Sequence, residues 1–578
     1  MKEYDVLIVG SGACGGIAAQ QLTEAGLQVI MLEAGPDYTN AEVDIPVEQT
    51  TTASIVQQEQ DSMSEATRLA KTPGNWRNDI YQMVSIILGW HKPEPKDSLA
   101  IANSLSTNPR YPIQSMVGLF GPNSQNLFVD EIDNPYMTPA SSPFYWIRNR
   151  VLGGRTQTWQ RKSPRLEDTV FSAADRDGYG EPWPFTAKDL QPYYEIAEKT
   201  MRVMGAVEAG AALYEEALPA RDFLPIESAF VKDLNEKWPE MRAHVMPFAC
   251  PYEESEQDVF TPAPTLDGGR HPSFDCSVRC SISTAQETGL LTVKTDAIVK
   301  SVTMDWKTKR ATGVSYIDAE TKEEKEVSAE YVVLCASTLE STRVLLNSKS
   351  DHAPDGLANS SGALGHYLMD HLFGVGAIGV KSQKALQGGS PTLWIPPFRN
   401  VEGDNENHGF IRGYQLNCSF SGLWSGFFRR YRQMVVIMAD GEVLPRYENQ
   451  ISIDESVKDK WGIPVLRINY QRSENDEAML RDMLETTEEI IEATGYEVVY
   501  RSPSPLPPGL SVHELGTARM GSNPKTSVVD TNCRSWDVPN LYVTDGAVFP
   551  TAGSQNPTLT MMALTAKACD HLIESFKA

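Results

Sequence analysis

The first apolar run of the chain, Val6 to Val9, is cut short by Gly10-Ser11-Gly12-Ala13-Cys14-Gly15-Gly16. A stretch of helical period follows as far as Ala25, and a second apolar run, Leu27 to Leu32, ends on Glu33. That order predicts strand, glycine turn, helix, strand. Further short β-branched runs, Asp296 to Val302 and Tyr331 to Ser337, predict more strands of the same sheet, and Ala336-Ser337-Thr338 opens a helix rich in Leu and Glu. From about residue 375 to 505 the pattern changes. Alternating strands such as Gln433 to Met438 and Pro464 to Tyr470 are joined by a long amphipathic helix near Glu474 to Thr494, which predicts a second sheet with a covering helix. Residues 40 to 145 carry clusters of Pro, Asn and Ser with a helix-like patch, the composition of an inserted lid or interface. No internal repeat is visible.

The glycine turn has a chemical reading. Gly10 permits the tight turn, Gly12 lets the backbone approach a pyrophosphate, and Gly15 lets helix and strand pack closely, with the helix N-terminus facing the phosphates. Glu33 ends the second strand about 20 residues on, where a carboxylate accepts hydrogen bonds from ribose hydroxyls. An acid there favours an unphosphorylated ribose. The motif by itself does not separate NAD from FAD.

Composition narrows the partners. A chain of 578 residues exceeds what one hydrophobic core organises, so at least two structural domains are expected. The excess of 76 acidic over 51 basic side chains, a formal charge of -25, repels phosphate backbones and anionic lipid headgroups, so nucleic acid is not an expected partner. Eight cysteines with one close pair, Cys276 and Cys280, are too sparse for a disulfide framework and suit a reducing compartment. The chain enters its first strand without the pattern of a signal peptide, so a cytoplasmic location is expected, with periplasmic export alongside a partner left open. The most apolar internal stretch, Ile80 to Trp90, is about half of the ~20 residues a membrane span requires; a buried or interfacial helix is expected there and no membrane span anywhere.

The C-terminal block from Ser511 to Leu564 joins one histidine, His513, to a strand ending in Thr544-Asp545-Gly546 and to Asn556-Pro557-Thr558, which opens a helix. Hydride leaves an alcohol carbon readily only when the hydroxyl proton is removed, so such chemistry needs a base of near-neutral pKa within reach of that oxygen. His513 is that base in this reading. Asn556 offers an amide donor that steadies the developing alkoxide without titrating. Pro557 suits the first helical position, and the helix N-terminus favours negative charge on a bound group. Glu514 and Arg519 are read as solvated or salt-bridged, and His366 and His371 as structural. Earlier in the chain, Asn149 to Trp159 reads as a loop whose Gly153-Gly154 pair suits close approach to a planar ring. Trp159, Gln160 and Arg161 place an aromatic beside polar groups, which suits a pyranose face and equally suits packing.

Four separated features, the glycine turn, the Gly153-Gly154 loop, Leu368-Met369-Asp370-His371 and the C-terminal block, stand in the order found in the glucose-methanol-choline oxidoreductases. The chain resembles that family over nearly its whole length. The phrases from His513 to Gly521 and from Gln555 to Thr560 are most similar to bacterial enzymes that oxidise the 3-hydroxyl of glucosides, with pyranose oxidases more distant. The resemblance implies an α/β fold: a Rossmann-like FAD-binding domain with a discontinuous α+β substrate-binding domain on an antiparallel sheet. It assigns residues 1–40, 145–185, 285–350 and 510–578 to the FAD-binding domain, 186–284 and 351–509 to the substrate-binding domain, and 41–144 to the inserted segment. It makes His513 the catalytic histidine and Asn556 its partner. FAD contacts are expected from Gly10, Gly12, Gly15, Glu33, Gly153, Gly154, Thr158, Val299, Asp545, Gly546, Pro557 and Thr558. In pyranose oxidases a histidine at the place of Thr158 bonds the flavin covalently, which threonine cannot do, so FAD is expected to be held without a covalent link. The glucoside-oxidising relatives often carry a denser cysteine cluster where this chain has only Ser273 to Cys280; two thiolates do not supply a cluster's ligands, so no iron-sulfur centre and no metal are expected.

The implied activity is FAD-dependent oxidation of a secondary hydroxyl of a sugar or glycoside, at C3 to a 3-keto sugar, by histidine-assisted proton abstraction and hydride transfer. The alternatives are an oxidase that passes electrons to dioxygen and forms peroxide, and a non-catalytic flavoprotein serving electron transfer or partner binding. The electron acceptor, whether quinone, carrier protein or dioxygen, stays open, as does a partner subunit.

Overall fold

The N-terminal apolar run forms strand β1 (Tyr4–Val9), whose residues Val6 to Ile8 are wholly buried, as expected of a central parallel strand covered on both faces. The computed structural model describes residues 3–38, 110–117, 120, 124–205, 218–239, 241–249, 277–383, 393–401, 404, 407–425, 430–502 and 505–577. Helix α1 (Ala13–Glu24) follows the glycine turn and leads to β2 (Val29–Leu32), which pairs in parallel with β1. The sheet continues with β3 (Leu291–Lys294) beyond β2. On the other side of β1 lies β6 (Glu324–Leu334), the last strand of an antiparallel meander with β4 (Ala297–Asp305) and β5 (Arg310–Asp318). Strand β14 (Leu541–Val543) pairs in parallel with β6 and completes a seven-stranded sheet among the described residues.

Register decides where this sheet works. Val9 and Val543 both pair with Leu334, so three strands end side by side. The glycine turn, the Cys335–Ser337 link and the Thr544–Gly546 link therefore leave the sheet at one carboxyl edge, where open parallel sheets bind ligands. Helix α3 (Thr338–Asn347) and helix α5 (Thr558–Lys577) both start near that edge. Pro557 does not occupy the first helical position of α5 as the sequence suggests. Its carbonyl accepts the first helical bond, from the Met561 N–H at 2.9 Å, so it caps the helix from one residue earlier.

The second sheet is antiparallel. Its order is β13 (Glu497–Arg501), β7 (Leu372–Lys381), β10 (Arg430–Gly441), β9 (Tyr414–Ser425) and β8 (Leu393–Ile395), with the short strand His244–Val245 at the edge. Helix α4 (Glu474–Ala493) lies across β7 and β10, and a Ser473–Asp476 capping box fixes its start. Its buried residues Met479, Met483, Ile490 and Ile491 recur at helical spacing. The run from Pro464 is a strand, but it leaves this sheet: β12 (Pro464–Asn469) pairs with β11 (Gln450–Lys458) in a separate hairpin, and Met137 bridges to its other edge.

Parts of the range expected in the substrate-binding domain pack on elements expected in the FAD-binding domain. Helix α2 (Ala187–Met201) lies on α5, with the Tyr194 hydroxyl 2.7 Å from Thr560 Oγ1, and Ser277 hydrogen-bonds the carbonyls of Ser11 and Gly12. Both fall in the range 186–284. Residues 110–117 and 124–150 pack beside the nucleotide turn rather than standing apart from it. The stretch Ile80 to Trp90, Cys250 and Cys276 lie outside the described residues. Among the described residues no helix is long and apolar enough to cross a membrane.

Candidate active site

At the N-terminal turn a carboxylate is held ready. Glu33 Oε2 accepts hydrogen bonds from the Ser11 amide at 3.1 Å and the Ser11 hydroxyl at 2.5 Å, and Oε1 accepts from the Gly35 amide at 2.9 Å. Burial pushes its carboxyl above the usual range, opposed by these hydrogen bonds. The amide of Gly153 donates to the same Ser11 hydroxyl at 2.9 Å, which ties the second glycine loop to the first turn. Gly10 has φ +98°, and a Cβ there would come within 2.4 Å of the Cys335 carbonyl oxygen. At Gly12, by contrast, a Cβ would meet nothing within 4 Å. Gly12 thus borders open space at the N-terminus of α1, and that space is where a pyrophosphate would be cradled.

One cavity of about 660 Å³ connects this turn to the C-terminal block. Of the residues expected at FAD, Gly10, Gly12, Glu33, Gly154, Thr158, Val299, Asp545, Gly546, Pro557 and Thr558 line it. Gly15 and Gly153 do not; Gly15 serves packing, since a Cβ there would lie 2.0 Å from the Gly10 carbonyl oxygen. Asp545 accepts from the Ser341 hydroxyl and the Ala547 amide, and burial pushes its carboxyl up to about 6. The Thr158 hydroxyl donates to Asn149 Oδ1 at 3.0 Å. An open glycine cradle, a fixed carboxylate and a helix start on one continuous cavity fit an FAD molecule laid from Glu33 toward His513.

His513 and Asn556, 43 positions apart, meet on the wall of this cavity: Asn556 Nδ2 lies 3.0 Å from His513 Nε2. The segment that carries His513 is clamped from two sides. Buried Asp370 accepts from the Gly509 amide at 2.7 Å, the His513 amide at 3.3 Å and the Ser511 hydroxyl. Arg155 donates to the Val512 carbonyl at 3.1 Å and holds the Glu514 carboxylate through both of its terminal nitrogens at 2.6 and 2.9 Å. Between the clamps Val512 adopts φ +64°, a costly conformation for a β-branched residue that persists where its surroundings dictate it. Glu514 is accordingly salt-bridged, and Arg519 lies over the Tyr367 ring at 3.6 Å.

His371, read from sequence as structural, touches the site directly: its Nδ1 lies 3.0 Å from His513 Nδ1. The hydrogen-bond pattern sets the tautomers. An amide nitrogen donates only, so His513 Nε2 accepts from Asn556 and carries no proton; neutral His513 then bears its proton on Nδ1 and donates it to His371 Nδ1. The His371 proton is left on Nε2. Burial brings His371 down to about 4, so it stays neutral and an acceptor. His513 is held well below its usual value, first by burial and then by its electrostatic surroundings, which include the positive charges of Lys162 and Arg155. An uncharged, correctly protonated imidazole facing a cavity is equipped to take a proton.

The expected substrate residues Trp159, Gln160 and Arg161 line the cavity, with Gln160 exposed and the indole N–H of Trp159 buried without a hydrogen bond among the described residues. Lys162 and Asp440 line it too, and the sequence reading did not single them out. A signal existed: residues 414–418 of β9 are buried on both faces, yet Gln415 and Asn417 alternate with Tyr414, Leu416 and Cys418, so one buried face is polar.

The GMC oxidoreductase models match residues 269–373 and 445–565, and an FAD-binding domain model matches residues 3–51. The chain is 29% identical over 489 residues to a 2-methyl-1,2-propanediol dehydrogenase of Mycolicibacterium austroafricanum, covering 79% of this chain and 85% of that one. It is 25% identical over 602 residues to a C-glycoside 3-oxidase of Arthrobacter globiformis, covering 99% and 95%. The fold matches that of a pyridoxine 4-oxidase with a TM-score of 0.58 at 17% identity, over 98% of this chain and 99% of that one. With the glycine cradle and the His513–Asn556 pair on one cavity, these matches make the chain a member of the GMC oxidoreductase family, an FAD-dependent enzyme acting on CH–OH groups.

Proposed function

We propose that this enzyme oxidises a ring secondary hydroxyl of a sugar or glycoside, at C3, with His513 as the base. The observation that carries the reading is the facing of His513 Nε2 and Asn556 Nδ2 across 3.0 Å on the cavity wall. FAD, when bound, supplies the hydride acceptor. A substrate oxygen that displaces the direct bond between the two side chains accepts a hydrogen bond from Asn556 Nδ2 and gives its proton to His513 Nε2. As His513 becomes cationic, its Nδ1 proton stays bonded to neutral His371, which steadies the charge. The Asp370 and Arg155 clamps fix the backbone that carries His513, and His371 holds its ring. The likeness to a C-glycoside 3-oxidase supports a glycoside and position C3.

The FAD is held without a covalent bond, because the Thr158 hydroxyl is occupied by Asn149 and has no bonding chemistry toward a flavin. Acid precipitation releases all the flavin into the supernatant; flavin retained in the pellet contradicts this. An iron-sulfur cluster is not part of the proposal, and an iron assay on purified protein tests that. Electron return to a quinone or carrier protein is the leading reading and dioxygen the alternative, favoured by the oxidase among the relatives. The functional test is anaerobic: methyl glucoside bleaches the flavin of the purified protein, and admitting air then separates oxidase from dehydrogenase. A flavin that methyl glucoside leaves oxidised overturns the sugar reading.

A further inference from the structure

The polar face of the second sheet forms a continuous chain of hydrogen bonds. The Trp394 indole donates to Gln415 Oε1 at 2.7 Å; Gln415 Nε2 and Asn417 Nδ2 donate to Asp440 Oδ2 at 3.2 and 2.7 Å; Lys162 Nζ donates to Asn417 Oδ1 at 3.1 Å. Gln415 and Asp440 are register partners on β9 and β10, and Trp394 of β8 is opposite Asn417, so the sheet itself holds the array. One acceptor is left over. Asp440 lines the cavity, is only 5% exposed, and its Oδ1 has no hydrogen-bond partner among the described residues. A buried carboxylate oxygen without a donor is costly, and a native protein keeps one where a ligand completes it. Lys162 lies on the same wall within electrostatic reach of both Asp440 and His513, and two of its three ammonium protons are not used by Asn417.

We infer that Asp440 and Lys162 form a second anchoring site that recognises hydroxyl groups neighbouring the one being oxidised, and so select polyhydroxylated ring substrates over simple alcohols. One substrate hydroxyl donates to Asp440 Oδ1, and another accepts from Lys162 Nζ. An alcohol with a single hydroxyl, held between His513 and Asn556, has nothing to offer this pair. Substrate is thereby fixed at two places on its ring, which sets which carbon faces the flavin. The inference rests on the reading of the cavity as the site of alcohol oxidation.

Asp440→Asn is the informative variant. The amide oxygen still accepts from Gln415 and Asn417, while an N–H donor replaces the acceptor that faces the cavity. KM for methyl glucoside and for cyclohexanol is measured in both proteins, with calorimetric titration of methyl glucoside alongside. The expected result is that the wild-type preference for the glucoside falls about tenfold or more in the variant, the scale of one lost hydrogen bond to a charged group. An unchanged preference, with equal glucoside affinity by calorimetry, overturns the anchoring site. If neither protein oxidises either alcohol yet the wild type binds the glucoside at least tenfold more tightly, the anchoring site stands and the oxidation reading falls. Should D440N lose its flavin or its fold, Lys162→Met carries the same comparison, with the same two outcomes.

Discussion

The two ends of the cavity are built by opposite means. At the nucleotide end, backbone does the binding: a glycine turn, a helix start and one carboxylate, all within residues 10–35 and placed by adjacent parallel strands. At the chemical end, side chains do it, and they come from distant segments: His371, Asp440, His513 and Asn556, with Arg155 and Asp370 holding the frame. Backbone geometry tolerates one ligand class and survives changes elsewhere. A side-chain site is specific and depends on every clamp being in place. The difference teaches that loss of cofactor and loss of chemistry are separable by mutation.

The largest separable effect lies at Gly12. Its φ of -65° suits any residue and a Cβ there meets open space, so Gly12→Val folds with the melting temperature of flavin-stripped wild type yet purifies without flavin and without activity. Visible spectra beside thermal melts check this; a yellow variant breaks the comparison. His371→Ala acts on the other end alone. Flavin content is retained while kcat falls roughly ten- to hundredfold, because His513 loses the acceptor that orients its ring. His371→Asn, which keeps an acceptor, recovers part of the rate. A variant of unchanged kcat returns His371 to a packing role.

Glu33→Gln comes next. It keeps the contacts to Ser11 but removes the charged acceptor, and weakens FAD about tenfold with kcat of the saturated enzyme unaltered, as equilibrium flavin titration reads it. The smallest effect concerns pH. Activity needs neutral His513, and burial with nearby positive charge lowers its pKa, so kcat stays flat through neutrality and falls only well below the ordinary histidine value of about 6.5. Lys162→Met removes one repelling charge, so cationic His513 becomes easier to form and the acid limb moves upward, by less than about one pH unit. A limb that moves down contradicts the electrostatic account.

The same contrast explains what the sequence disclosed. Residues 4 to 33 announced their structure because strand, turn and helix are local patterns and the glycines act through the backbone at fixed offsets. His513 and Asn556 were legible as chemistry, and their 3.0 Å approach follows from β14 and α5 returning the chain to one sheet edge. The His371 contact was not legible, because the residues around a histidine look the same in sequence whether it packs or pairs. Asp440 sits at the end of an apolar strand, and only its register opposite Gln415 reveals that a polar face is buried. The hairpin of β11 and β12 misled for a related reason: period-two alternation shows that a strand exists but not which sheet it joins.

The account stands on His513 receiving the substrate proton at Nε2, and anaerobic stopped-flow reduction of His513→Ala against wild type tests it most directly. With methyl glucoside saturating and flavin content equal, the account predicts a bleaching rate lower by about 10²- to 10⁴-fold in the variant, the range for loss of a general base. Bleaching at the wild-type rate in His513→Ala would contradict it.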